Sequence, residues 1–229
     1  QLACVARLVE RLHCPSMDQT PAALCYRVYQ AVSEVTGIRD PYARIKRVTN
    51  RAARKLLPEL EALVNRAKDP LKAACHLAIA GNIIDLGIGH GFVLERDVKS
   101  ILRRRLAIDD YPDFCREIRP GCRVLYIGDN SGEIVFDRVL VEHLLQAGAQ
   151  VTFAVKSRPI INDATLADAR FCGLTKLVPV IPTGSDDIGI HWDHVGKPFL
   201  RAFHAADLVI AKGHGNFETC VGHSGNFYF

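Results

Sequence analysis

The segment Arg123 to Asp137, RVLYIGDNSGEIVFD, limits the possible folds more than any other stretch of the chain. Val124, Leu125, Tyr126 and Ile127 make an apolar run of strand length, and Ile134, Val135, Val139, Leu140, Leu144 and Leu145 then recur at helical spacing. Gly128 and Gly132 let the backbone turn sharply between the two. A buried strand leading straight into a helix is the repeating unit of a parallel α/β sheet. It puts Asp129 and Asn130 at the strand's carboxyl end, where such sheets hold their ligands. The helix start at Ser131, Gly132 and Glu133 offers unpaired N–H groups and a positive dipole end to an anion, and a carboxylate with an amide oxygen suits a hard divalent cation. Phosphate together with a metal is the first expectation. The plainer alternative gives Asp129, Asn130 and Ser131 to turn and N-cap duty, a frequent use of these residue types, and the segment alone weighs equally for both. The glycines do not stand as G-x-G-x-x-G, and no Lys-Ser/Thr pair follows, so neither a dinucleotide fingerprint nor a P-loop sits here.

The wider pattern extends this unit. From Leu2 to about Leu106 the periodicity is helical, and Asp40-Pro41 and Asp69-Pro70 each set an N-cap acid before Pro at a first helical position. From Arg123 strands alternate with helices: strands at 123–128, 150–156, 177–181 and 207–211, and helices at 134–147, about 164–172 and about 196–205. Such alternation predicts a largely parallel sheet with helices on its faces. The boundary is expected where Pro and charge interrupt the periodicity at 111–120, which gives a helical domain over 1–118 and an α/β domain over 119–229. Residues 212–218 read as a lysine on a strand end with a flexible glycine loop behind it.

Composition excludes more than it identifies. A formal charge of +4 from 29 basic and 25 acidic residues is too slight to argue for nucleic acid or a membrane surface. No apolar run is long enough to span a bilayer. The eight cysteines carry no C-x-x-C pair, and buried reduced thiols in the cytoplasm are the expectation. Cys220 with His214 and His223, or His191 with His194, lack the usual spacing of a four-ligand zinc site. The chain opens at Gln1 without Met and stops inside the apolar run Asn226 to Phe229, so it is expected to be part of a longer protein.

Three further polar clusters fall at predicted element ends. Asp163, in Asn162-Asp163-Ala164-Thr165, is placed to add a second carboxylate to a cation on Asp129 and Asn130; its plainer role is an N-cap. Lys212, after the last predicted strand, is placed to neutralise a phosphate oxygen. Asn82 and Asp85 lie three apart on one face of an apolar helical stretch, where polar groups need partners, either across a cleft or within the helix. Residues 182–187 read as a turn.

Taken together, Gly128-Asp129-Asn130-Ser131-Gly132-Glu133, Asn162-Asp163-Ala164-Thr165, Lys212-Gly213-His214-Gly215-Asn216-Phe217-Glu218, Gly81-Asn82-Ile83-Ile84-Asp85 and Asp40-Pro41-Tyr42-Ala43-Arg44-Ile45-Lys46 resemble, in order, the damage-control metal-dependent phosphatase family. This family was formerly a domain of unknown function, and its small microbial branch is the nearest match. The resemblance covers most of the chain. It implies a helical amino-terminal part packed on a Rossmann-like three-layer α/β/α part. It also implies a divalent metal (Mg, Mn, Co or Ni) held by Asp129, Asn130 and Asp163. Lys212 is implied as the phosphate contact and Asn216 as a substrate contact, with Ser131, Gly132, Glu133, Asn82 and Asp85 completing the candidate substrate set. Two family features, an amino-terminal Cys-x-x-Cys and a last strand ending in Lys-Cys, are missing from this sequence, as truncation at both ends would explain.

The resulting expectation is a cytoplasmic, metal-dependent phosphomonoesterase acting on small phosphorylated metabolites, such as sugar phosphates or damaged phosphometabolites, with oligomeric state left open. Two rivals stand beside it. A carboxyl methyltransferase would need an acid at the end of the second strand, where this chain has Val155-Lys156. A phosphometabolite-binding protein without turnover would keep the pocket alone.

Overall fold

The computed structural model describes residues 21–87 and 105–229, with the side chains of residue 23 and residues 82–87 left aside. Three amino-terminal helices, α1 (Pro21–Thr36), α2 (Ala43–Asn65) and α3 (Pro70–Gly87), are followed by α4 (Tyr111–Glu117). Strands and helices then alternate as β1 (Arg123–Ile127), α5 (Glu133–Gln146), β2 (Gln150–Val155), α6 (Leu166–Cys172), β3 (Val180–Pro182), α7 (Lys197–Ala205), β4 (Leu208–Ala211), α8 (His214–Cys220) and β5 (Phe227–Tyr228). All five strands run parallel in the order β3-β2-β1-β4-β5. The order reverses at β1, so the crevice for a ligand lies beyond the carboxyl ends of β1 and β4.

Alternation along the strands explains the layers. Val124, Tyr126, Val151, Phe153, Val155, Leu208 and Ile210 share a core with Phe136 and Val139 of α5 and with Leu57, Leu60, Ala74 and Leu77 of α2 and α3. Leu125, Ile127, Ala154, Val209 and Ala211 face the other way, onto Phe199 and Phe203 of α7 and Cys220 of α8. The result is the expected three-layer α/β/α part with the helical part packed on it. Tyr126 stacks on Phe153 with ring centroids 4.9 Å apart, and burying each such side chain stabilises the fold by about 1.5–3 kcal/mol. The core is continuous from α2 and α3 into the sheet.

The structure departs from the sequence reading in several places. The region 111–120 carries helix α4, with Pro112 in its first turn, where Pro is compatible with a helix start. The stretch after Gly173 first makes a 3-10 turn, Leu174–Lys176, so β3 starts at Val180 instead of 177. Residues 214–220 form α8 behind Gly213, in place of a flexible loop. The apolar run near Phe229 pairs with β4 as the edge strand β5. Of the two Asp-Pro signals, Asp69 caps α3 by accepting from the Lys72 N–H at 3.0 Å. Asp40 instead holds a turn through the Tyr42 N–H at 3.1 Å, one residue ahead of α2.

Candidate active site

Backbone hydrogen bonds bring the polar strand ends together before any side chain does. The Ser131 N–H donates to Asn162 O, and the Ala164 N–H to Asp129 O, both at 2.8 Å, so the β1 and β2 exits run side by side. Lys156 N–H donates to Ala164 O at 2.9 Å, and Lys212 N–H to Ile127 O at 3.0 Å. Asn216, on α8, donates to Lys212 O at 2.6 Å and to Gly128 O at 3.3 Å, closing the β4 side. Within this array Ile161 adopts φ +37°, a left-handed value that a β-branched residue resists at about 1–3 kcal/mol. The ladder around it holds that strain.

Asp129 and Asp163 meet in this setting, and neither acts as an N-cap. Helix α6 is capped instead by Thr165 in a capping box with Asp168, and α5 starts at Gly132 without a side-chain cap. Asn130 Nδ2 donates to Asp129 Oδ2 at 2.9 Å and to Glu133 Oε2 at 3.3 Å. Burial, then the nearby Asp163 and Glu133, hold the Asp129 carboxyl well above the usual carboxylate range. Burial also pushes Asp163 up to about 6, with Lys156 and Lys46 opposing it. Among the described residues Asp129 has no ion pair. The Asp129 carboxylate rests on Gly213: a Cβ there would lie 2.0 Å from Oδ2, and φ +87° also requires glycine.

These residues fit a hard divalent cation. Two carboxylates raised first by burial, Asp129 also by its acidic neighbours, are relieved by positive charge, and their oxygens with the Asn130 amide form an all-oxygen donor set. Among the described residues no group of three or more His, Cys, Asp or Glu could hold a metal ion, so the fit depends on Asn130 as third donor.

Lys212 stands in a different place from a simple phosphate contact. Its Nζ donates to Glu133 Oε1 at 2.6 Å, Ala78 O at 2.7 Å and Asp137 Oδ1 at 2.9 Å. Asp137 also accepts from Tyr126 Oη at 2.7 Å. Burial pulls the Lys212 ammonium down, but Asp137 and Glu133 outweigh it and hold its pKa above the ordinary value. Burial pushes Asp137 up to about 6, against the pull of Lys212. Sequence reasoning missed the role of Asp137, whose only signal was a polar residue inside an apolar helix, and of Tyr126, which read as one of the apolar residues of β1.

It also missed a clamp from α2. Asn50 accepts from the Gly132 N–H at 2.6 Å and donates to Asp168 Oδ1 at 2.8 Å, while Lys46 Nζ reaches Asp168 Oδ2 at 2.9 Å. Asn162 and Asn50 thus already take the Ser131 and Gly132 N–H groups, which removes them from the anion site expected at this helix start. Among the described residues Ser131 Oγ and Asn216 Oδ1 have no hydrogen-bond partner and are buried, as groups awaiting a ligand or water would be. The side chains of Asn82 and Asp85 lie outside the described residues. His191 stacks on His194, His223 stacks on Trp192, and His194 bonds Asp187 at 2.9 Å.

A parallel sheet with helices on both faces, carrying its acids and buried lysines at the switch point, defines an α/β/α protein of the ligand-binding type. The chain matches the model of the damage-control phosphatase ARMT1-like domain over residues 3–226, and it belongs to that family. It is 36% identical over 202 residues to a damage-control phosphatase of Archaeoglobus fulgidus, covering 86% of this chain and 69% of that protein. A damage-control phosphatase of Pyrococcus horikoshii is 37% identical over 201 residues, covering 87% and 69%. The crystal structure of a DUF89 family protein from Pyrococcus horikoshii superposes with a TM-score of 0.85 at 34% identity, covering 97% of this chain and 77% of that one. No described helix is long and apolar enough to cross a membrane.

Proposed function

We propose that this chain is a divalent-metal-dependent phosphatase that hydrolyses phosphate monoesters of small metabolites, sugar phosphates or damaged phosphometabolites among them. The observation that carries the reading is the convergence of Asp129 and Asp163, two carboxylates that burial raises above their usual range, at the sheet's switch point in a chain of the damage-control phosphatase family. Asp129, Asn130 and Asp163 would hold the metal, and Mg²⁺, Mn²⁺, Co²⁺ or Ni²⁺ each remain candidates. When bound, such an ion supplies positive charge to phosphoryl oxygens and lowers the pKa of a coordinated water. Glu133 orients Asn130 by accepting from its amide, and Gly213 leaves the room that the Asp129 carboxylate needs. Ser131 Oγ is a donor in search of an acceptor at the same edge. Six described cysteines are free thiols, in keeping with a reducing, cytoplasmic setting.

Phosphate release from a panel of phosphorylated metabolites, with and without chelator, tests the reading. Turnover that stops on chelation and returns with added Mn²⁺ is expected. Methyl transfer from S-adenosylmethionine, or phosphate binding without turnover, would replace it. At the end of β2, where a methyltransferase would set its acid, stands Lys156, buried beside Asp163.

A further inference from the structure

We infer that Lys156, at the exit of β2, is the side chain that meets the transferring phosphoryl group, while Lys212 acts as a positioning residue. The inference rests on the phosphatase reading above. Three lysines are buried among the described residues: Lys46, Lys156 and Lys212. An ammonium has three N–H donors, and Lys212 has committed all three, two of them to carboxylates. Reaching a phosphate would break one of those bonds and strip a buried acid of its counter-charge. Lys46 is neutralised by Asp168 at 2.9 Å, and that carboxylate is itself fixed by Thr165 and Asn50.

Lys156 differs from both. It is 3% exposed, and among the described residues its one close bond goes to a neutral acceptor, the Gly189 carbonyl. Its nearest acid is Asp163 Oδ2 at 3.9 Å, beyond hydrogen-bond reach. Two donors therefore remain available beside the acids proposed to hold the metal. With Asp163 engaged in holding a cation, its attraction for Lys156 would weaken further, and an anionic oxygen would become the natural partner for the ammonium. In hydrolysis, water oxygen forms a new bond to phosphorus as the ester P–O bond breaks and the alcohol leaves with a proton. Lys156 holds a non-bridging oxygen through this change and transfers no proton. Lys212 meanwhile fixes Glu133, whose other oxygen holds the Asn130 amide.

Calorimetric titration of inorganic phosphate into the Mn²⁺-supplied protein tests this, with Mn²⁺ affinity measured separately. Lys156→Met should weaken phosphate binding at least tenfold while Mn²⁺ binds equally or more tightly, and Lys156→Arg should restore part of the loss. Lys212→Met should lower the melting temperature and weaken Mn²⁺ binding. Phosphate affinity within threefold of wild type in Lys156→Met, or a loss confined to Lys212→Met at saturating Mn²⁺, overturns the assignment. Should Lys156→Met fail to fold, acetic anhydride labelling of the wild type, read by mass spectrometry, takes its place. Phosphate with Mn²⁺ should protect Lys156 at least fivefold, and unchanged labelling refutes the proposal. A wild type without chelator-sensitive turnover sinks the phosphatase reading alone, because the phosphate titration and the labelling still report on Lys156.

Discussion

Asn50 is the residue whose loss should show most directly how the helical part supports the site. Its amide is buried, accepts the Gly132 N–H at 2.6 Å and donates to Asp168 at 2.8 Å. Asn50→Ala removes a hydrogen bond to a charged group, about 1.5–3 kcal/mol, and leaves a buried N–H unpaired, about 1–3 kcal/mol. The two effects overlap through one side chain, so a combined loss of about 3–4 kcal/mol is expected. For a protein of this size each kcal/mol moves the melting temperature by about 2–4 °C, which predicts a fall of about 10 °C. Urea unfolding and calorimetry measure both quantities. Asn50→Asp supplies a control: it keeps the acceptor for Gly132 but sets a carboxylate against Asp168. It should be equally destabilised at pH 7 and should recover as the pH falls toward 5 and the new acid protonates. Mn²⁺ affinity should drop in Asn50→Ala, because the turn it pins carries Asp129 and Asn130. A stability change below about 0.5 kcal/mol would refute the clamp as an energetic element.

Asp129→Ala and Asp163→Ala should each abolish chelator-sensitive phosphate release while the metal-free protein melts no lower than wild type, since removing one of two repelling carboxylates relieves the other; near-normal turnover in both would return these residues to a turn role. Gly213→Ala should cost about 1–3 kcal/mol and displace the Asp129 carboxylate, so chemical denaturation and Mn²⁺ titration should both change. Asp168 sets an acid limit on stability: hydrogen bonds from Thr165 and the charge of Lys46 outweigh burial and hold its pKa below the usual value. Its contribution is therefore fully present above about pH 4 and is lost as the pH falls through the lowered folded value. Asp168→Asn should be less stable at pH 7 and show a flatter acid limb in pH-dependent melting; a limb unchanged from wild type would contradict that sign.

The parallel α/β plan was legible because its signals are local. The run from Val124 to Ile127, the helical spacing after Ile134 and the glycines between them state strand, turn and helix within about fifteen residues. Asp129, Asn130 and Asp163 followed, since a parallel sheet brings all its strand ends to one edge. Thr165 and Asp168, three apart, carried a capping-box signature that would have kept Asp163 from being read as an N-cap. Helix α8 and strand β5 were less visible: one has only seven residues with two glycines at its start, the other two residues that become a strand by pairing with β4. The duties of the lysines were hidden altogether. Which of Lys46, Lys156 and Lys212 is neutralised, and by which acid, depends on contacts between residues as far apart as 46 and 168, or 133 and 212. Local chemistry determined the elements and the edge where the acids gather; only folding, by burying those charges together where an unpaired charge is costly, decided which cation each acid keeps.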